Sequence, residues 1–205
     1  MPDHDKMDIW ETSLPNGLHS DLVVTSSHFV NSSRGYLSGY VDVPFPAVRR
    51  GYLYQTNDGG KTWQRLNDVV AADLKKIQMI GAFNGYAVGT QGVALKTMEG
   101  GQNWDMLNLY AANVTANLND LYFINAVEGV IVGDKATIVK TIDGGQTFTA
   151  ASYPGSAADD IITAITHDGS NYYITVIRKP APAAEPFAVI YSSADGIAWT
   201  QQSNI

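Results

Sequence analysis

Short apolar runs, broken by glycine and polar turns, recur along the whole chain, and nowhere does a long 3.6-residue spacing mark an amphipathic helix. Gly35-Tyr36-Leu37-Ser38-Gly39, Gly85-Tyr86-Ala87-Val88-Gly89 and Gly129-Val130-Ile131-Val132-Gly133 are one element written three times. Asn171-Tyr172-Tyr173-Ile174-Thr175-Val176 takes its place in a fourth copy. Each is preceded by a second apolar run: Leu22-Val23-Val24, Leu74-Lys75-Lys76-Ile77, Leu118-Asn119-Asp120-Leu121 and Ile161-Ile162-Thr163-Ala164. Each is followed by a polar turn motif: Thr56-Asn57-Asp58-Gly59-Gly60-Lys61-Thr62-Trp63, Thr97-Met98-Glu99-Gly100-Gly101-Gln102-Asn103-Trp104, Thr141-Ile142-Asp143-Gly144-Gly145-Gln146-Thr147-Phe148 and the shorter Ser193-Ala194-Asp195-Gly196-Ile197-Ala198-Trp199. The motifs start at Thr56, Thr97, Thr141 and Ser193, which are 41, 44 and 52 residues apart. Each copy reads as four strands, a to d from the inside outward, and a period of about 40–45 residues with four strands per unit is the pattern of a β-propeller.

The chain is therefore expected to be all-β: a small β-propeller of about four four-stranded blades forming a single domain over residues 1–205, with repeats near 21–66, 74–107, 118–151 and 161–202. Residues 8–14, around Trp10, resemble the strand that follows each turn motif and read as a surplus N-terminal outer strand. Three outcomes are open for it. The chain ends share a blade, the surplus edge pairs with another chain in a homo-oligomer formed by strand exchange, or the chain is a piece of a larger ring.

The turn motif has a physical logic. A carboxylate at its third position accepts hydrogen bonds from the backbone N–H groups of the turn that carries it, and the glycines supply positive φ. The closing aromatic starts the outer strand and packs between blades. Asp58, Asp143 and Asp195 thus read as turn braces, with Glu99 a longer and poorer substitute, and Trp63, Trp104, Phe148 and Trp199 read as core. These stretches resemble the Asp-box, or BNR, repeat of sialidases, sortilin-type receptors and many propellers. Together with the Gly-Tyr-x-Val-Gly element, they are similar to the photosystem II assembly/stability factor family over roughly residues 21–202. That resemblance implies a non-catalytic propeller that binds a protein partner.

Composition narrows the partner. The formal net charge of −7 disfavours phosphate backbones, so no nucleic acid is expected. There is no cysteine, hence no disulfide, no thiolate chemistry and no Cys-ligated metal. No signal peptide is visible and no stretch has the roughly 18 apolar residues of a membrane helix, which predicts a soluble protein without membrane insertion. His4, His19, His28 and His167 lack metal-ligand spacing, so neither a metal nor a cofactor is expected.

Strand order places the Asp-box turns (c–d) and the a–b turns on one rim and the b–c and d–a connections on the other. Two b–c connections carry proline-rich insertions, around Phe45 and from Arg178 to Phe187. If the ring closes, copies one and four are neighbours, and Phe45, Arg49, Arg50, Arg178, Lys179 and Phe187 gather as a basic, aromatic patch that Tyr110 and Tyr153 extend. Arginine and aromatic residues dominate interface hot spots, which makes this patch the expected protein-binding face. A carbohydrate-binding propeller and a structural part of a larger assembly, including a viral particle, are the alternatives. A sialidase-like glycosidase is the least favoured: it needs converging arginines and paired carboxylates, whereas Arg34 is in an a–b turn, Arg65 is on an outer strand, and the four glutamates are scattered.

Overall fold

The computed structural model describes residue 14 and residues 16–43, 48–66, 70–179 and 185–204. They form four antiparallel four-stranded sheets, each a meander of consecutive strands. Blade one is β1 (Val23–Phe29), β2 (Gly35–Val43), β3 (Val48–Thr56) and β4 (Gln64–Arg65). Blade two is β5 (Leu74–Ile80), β6 (Asn84–Gly89), β7 (Ala94–Thr97) and β8 (Asp105–Met106). Blade three is β9 (Leu118–Phe123), β10 (Gly129–Gly133), β11 (Ile138–Thr141) and β12 (Thr149–Ala150). Blade four is β13 (Ile161–His167), β14 (Tyr172–Arg178), β15 (Phe187–Ser193) and β16 (Thr200–Asn204).

The core lies between blades. Second strands in the middle of the molecule are buried on both faces, as in β10, where every residue is buried. This explains why these strands read as continuous apolar runs rather than alternating ones. Tyr36, Leu53 and Leu66 of blade one meet Leu74, Ile77 and Leu95 of blade two. Tyr86 and Val88 meet Leu121 and Phe123 across the next seam, and Val130 and Ile138 meet Ile162, Ile174 and Val189 across the third. Fully burying one such side chain contributes about 1.5–3 kcal/mol, so the seams are the main source of stability.

Polar groups set the register of the seams. The Gln78 amide donates to the Phe123 carbonyl at 3.1 Å and accepts from the Phe123 N–H at 2.8 Å, standing in for a strand across the gap between blades. Within a blade, the second strand begins with glycine because a large side chain of the first strand lies flat against it. A Cβ on Gly129 would overlap the ring of Phe123, its register partner. Blade four departs from the arrangement. Tyr172 occupies the glycine position opposite His167, and the two rings meet edge to face at 4.7 Å.

Inner strands touch in the order β1–β5–β9–β13. Among the described residues no comparable contact joins β13 to β1, so the blades form an open arc and copies one and four are not brought together by ring closure. A fourth, smaller core covers the far side of blade one, where Leu18 and Leu22 pack with Trp63 on Leu37, Val41, Tyr52 and Tyr54. The Trp63 N–H donates to the Asn16 carbonyl at 2.7 Å, which holds this segment in place. Residues 8–13 of the surplus strand lie outside the described residues.

Candidate functional site

The Asp-box turns are closed from within. Asp58 accepts from the Thr62 N–H at 2.9 Å and from the Thr56 and Thr62 hydroxyls at 2.8 and 2.6 Å. Asp143 repeats the pattern with Thr147 and Thr141. Asp195 takes the N–H groups of Ile197 and Ala198 at 2.9 and 2.8 Å. Glu99 reaches the Asn103 side-chain amide at 2.6 Å. The threonine hydrogen bonds hold the Asp143 carboxyl down at about 2 and put that of Asp58 well below the carboxylate range. The backbone N–H groups lower Asp195 in the same sense. Such carboxylates stay ionised and accept hydrogen bonds; they cannot serve as proton donors near neutral pH.

On the b–c and d–a rim, the expected binding residues are drawn into internal contacts. Arg49 donates to Asp42 at 2.8 Å and to Asp73 at 2.7 Å, and its guanidinium lies 4.7 Å from the Tyr40 ring centre. Arg178 donates to the carbonyls of Gly155 and Pro154 at 2.8 and 3.2 Å, stands 3.5 Å from Asp160, and lies over the rings of Tyr153 and Tyr191. Tyr153, expected on the surface, is buried and donates to Asp160 at 2.8 Å. Burial raises the pKa of that phenol far above its ordinary value. The cause is local: the d–a connection folds inward over blade four, and Arg178 with Asp160 locks it. Arg50 is half-buried, whereas Lys179 and Phe187 are exposed. Phe45 and the Tyr110 side chain lie outside the described residues. The rim therefore does not assemble the expected basic patch from its arginines.

The opposite rim carries a notch that the chain order conceals. In blades two and three one side chain of the third strand faces the box of the next blade. Lys96 donates to the Gly144 carbonyl at 2.8 Å, and Lys140 donates to Glu128 and to the Asp195 carbonyl, both at 2.7 Å. Blade one has Gln55 in that position, across from Tyr36 as Lys96 is from Tyr86. The residue that precedes the second strand is Glu128 in blade three and Arg34 in blade one. With the Gln55 amide oxygen turned toward Arg34, it accepts from Nε at 2.8 Å and from Nη2 at 3.0 Å. Tyr36 donates to the Gly100 carbonyl at 2.8 Å and closes the floor.

The resulting notch holds about 510 Å³ and is lined by Arg34, Gln55, Asn57, Gln64, Arg65 and the box residues Gln102 and Asn103. Arg65 also lies over the Tyr52 ring. Two guanidiniums and a fringe of amides on an acidic chain suit a carboxylate-bearing ligand. Reading along the chain discounts Arg34 and Arg65, because β3 must return between them before both line one notch. Aligning the four copies column by column, so that Arg34 stands against Glu128 and Gln55 against Lys96 and Lys140, is the signal that exposes them. Among the described residues no cluster of three or more His, Asp or Glu side chains could hold a metal ion.

Comparison with known proteins supports the repeat reading. The family profile of the photosynthesis system II assembly factor YCF48 matches residues 10–112. The photosystem II stability/assembly factor HCF136 of Cyanidioschyzon merolae is 36% identical over 106 residues, covering 43% of this chain and 24% of that protein. The chain thus spans about a quarter of the length of that curated relative. Among solved structures, YCF48 bound to a D1 peptide superimposes with a TM-score of 0.61 at 18% identity, covering 95% of this chain and 71% of that one. YCF48 from Cyanidioschyzon merolae gives 0.62 at 18% identity, covering 93% and 57%. An ancestral GH74 enzyme gives 0.64 at 15% identity over 87% of this chain and 25% of its own, a likeness of fold alone. With four blades of this repeat and a profile match over half its length, the chain belongs to the YCF48 photosystem II assembly factor family.

Proposed function

We propose that the chain is a non-catalytic module that captures a carboxylate-bearing segment of a protein partner in the notch between blades one and two. The observation that carries this reading is that Arg34 and Arg65 both line one polar notch, at a place where the third seam has a lysine and a glutamate bonded to each other. YCF48 in complex with a D1 peptide supports the class of partner. The carboxylates that hold the box turns are committed acceptors, which supports a binding role over an acid–base one.

Fluorescence polarisation with a labelled D1 peptide tests the proposal. Binding is expected to weaken about tenfold or more in Arg34→Glu and Arg65→Glu, and to fall with added salt. Lys179→Glu, on the opposite rim, is expected to leave it unchanged. Loss of binding in Lys179→Glu with the notch variants unaffected would move the site to the insertion-bearing rim.

A further inference from the structure

The box rim changes character from blade to blade at two columns of the repeat. One column is the second position of the box, occupied by Asn57, Met98, Ile142 and Ala194. The other is the a–b turn residue whose carbonyl accepts the N–H of a box glycine: Ser33 for Gly59, Phe83 for Gly100 and Val127 for Gly144, each at 2.8 Å. Ser170, two places before Tyr172, stands there in blade four. Both columns are polar or small in blades one and four, and large and apolar in the two middle blades. Ile142, Phe83, Met98 and Val127 are 69%, 65%, 59% and 50% exposed, four of the five most exposed large apolar side chains among the described residues. They lie in blades two and three, away from both ends of the arc. The turns do not need them, because blade one closes the same hydrogen bonds with Ser33 and Asn57 in their places. Exposed apolar side chains gathered on one surface mark an interaction site.

The four lie along one strip that begins at the notch. The box that carries Met98 is also a wall of the notch: Gln102 and Asn103 line it, and a Cβ on Gly100 would stand 3.2 Å from Arg34 Nη2. The next step is fixed by two bonds across the seam. Tyr86 donates to the Ala126 carbonyl at 2.7 Å and Lys96 to the Gly144 carbonyl at 2.8 Å, which holds the turn of Val127 and the box of Ile142 against blade two. The rim thus presents two guanidiniums, then Phe83 with Met98, then Val127 with Ile142.

Resting on the notch as the carboxylate site, we infer that the partner segment is acidic and apolar in one line: its carboxylate enters the notch and its apolar side chains lie along the strip over blades two and three. Packed sheets stand about 10 Å apart, so the two apolar pairs are about one such step from each other. A segment in the extended polyproline conformation advances about 9 Å in three residues and turns every third side chain to the same side. The matching ligand has two apolar residues three places apart and a carboxylate beyond the one nearer blade one. A bilayer suits the strip less well. The net charge of −7 opposes an anionic lipid surface, and a bilayer supplies no single carboxylate at the end of an apolar line.

Fluorescence polarisation with labelled synthetic peptides tests the inference. One peptide carries two leucines three places apart and an aspartate three places beyond one of them, made in both chain directions with serine and proline elsewhere. A control has both leucines replaced by serine. The better-matched direction is expected to bind at least about tenfold more tightly than the control. Phe83→Ser and Ile142→Asn copy the residues of blade one, so the fold accommodates them; each should remove most of that gain and leave the control peptide unchanged. Arg34→Glu should weaken both peptides. Equal binding of leucine and control peptides would overturn the strip and leave the notch standing. Leucine peptides that respond to Phe83→Ser but ignore Arg34→Glu would overturn the notch and the anchored line with it, and so would a chain that binds neither peptide. Sedimentation of the chain with phosphatidylcholine vesicles, lost in Phe83→Ser, would assign the strip to a lipid surface and overturn the inference.

Discussion

The notch between blades one and two and the notch between blades three and four occupy the same place in the repeat, yet they do opposite things. In the latter, Lys140 is 12% exposed and is bonded to Glu128 and to a box carbonyl, leaving about 260 Å³ lined largely by Ile142, Ile197 and the threonines. In the former, Gln55 and Arg34 replace that pair, and about 510 Å³ of polar space remains. Two substitutions in equivalent columns separate a sealed joint from an open one. In a repeat protein the scaffold is shared by every copy, so specificity resides in departures from the shared pattern.

The largest expected effect breaks the sealed side. Lys140→Ala removes two charge-assisted hydrogen bonds from a poorly solvated site and should lower stability by about 2–3 kcal/mol in urea unfolding, leaving peptide affinity unchanged. Breaking the open side should do the reverse. Arg34→Glu should weaken the peptide by at least about 1.4 kcal/mol, with stability altered by far less. The comparison sharpens if blade one is rewritten as blade three: Arg34→Glu combined with Gln55→Lys should abolish peptide binding and raise stability by up to about 1 kcal/mol, read from polarisation and thermal unfolding together.

The boxes beneath both notches set the acid limit. Asp58, Asp143 and Asp195 are held below their ordinary range in the folded chain, so their contribution is complete above that range and is lost as pH falls through the folded values. For Asp143 the window runs from 3.8 down to about 2. Asp143→Asn should lower stability at neutral pH and flatten its fall below pH 4 in urea titrations. The smallest effect concerns a turn on the other rim. Ala136 has φ of 54° where the matching turn of blade two has Gly92, so Ala136→Gly should stabilise by up to about 1 kcal/mol.

Most of the fold is legible along the chain, because each box and each Gly-Tyr element specifies its own strands locally. Thr97 pairs with Gly85 and Thr141 with Gly129, as the repeat demands. The angle between blades is not legible: a period counts units and carries no statement of how far each rotates, so the apolar run Leu22-Val23-Val24 does not reveal that Val24 is exposed. The internal bonding of the b–c rim arginines is not legible for a related reason. Arg178 looks like a surface cation in a proline-rich loop, but Tyr153 and Asp160, more than fifteen residues earlier, fold under it. The two box-rim arginines, 31 positions apart at Arg34 and Arg65, become neighbours only when the third strand returns between them.

The exchange of glycine for Tyr172 opposite His167 has a consequence for how such a chain can evolve. Blades one to three set a large first-strand side chain on a second-strand glycine; blade four sets the His167 ring against the Tyr172 ring. Recombination that joined β9 to β14 would set the larger Phe123 ring against Tyr172, and the reciprocal product, β13 with β10, would set the smaller His167 ring over Gly129. Either product loses its fit inside a single sheet, so first and second strands must be inherited as a unit. Gene duplication can copy whole blades of this protein, but it cannot shuffle their halves.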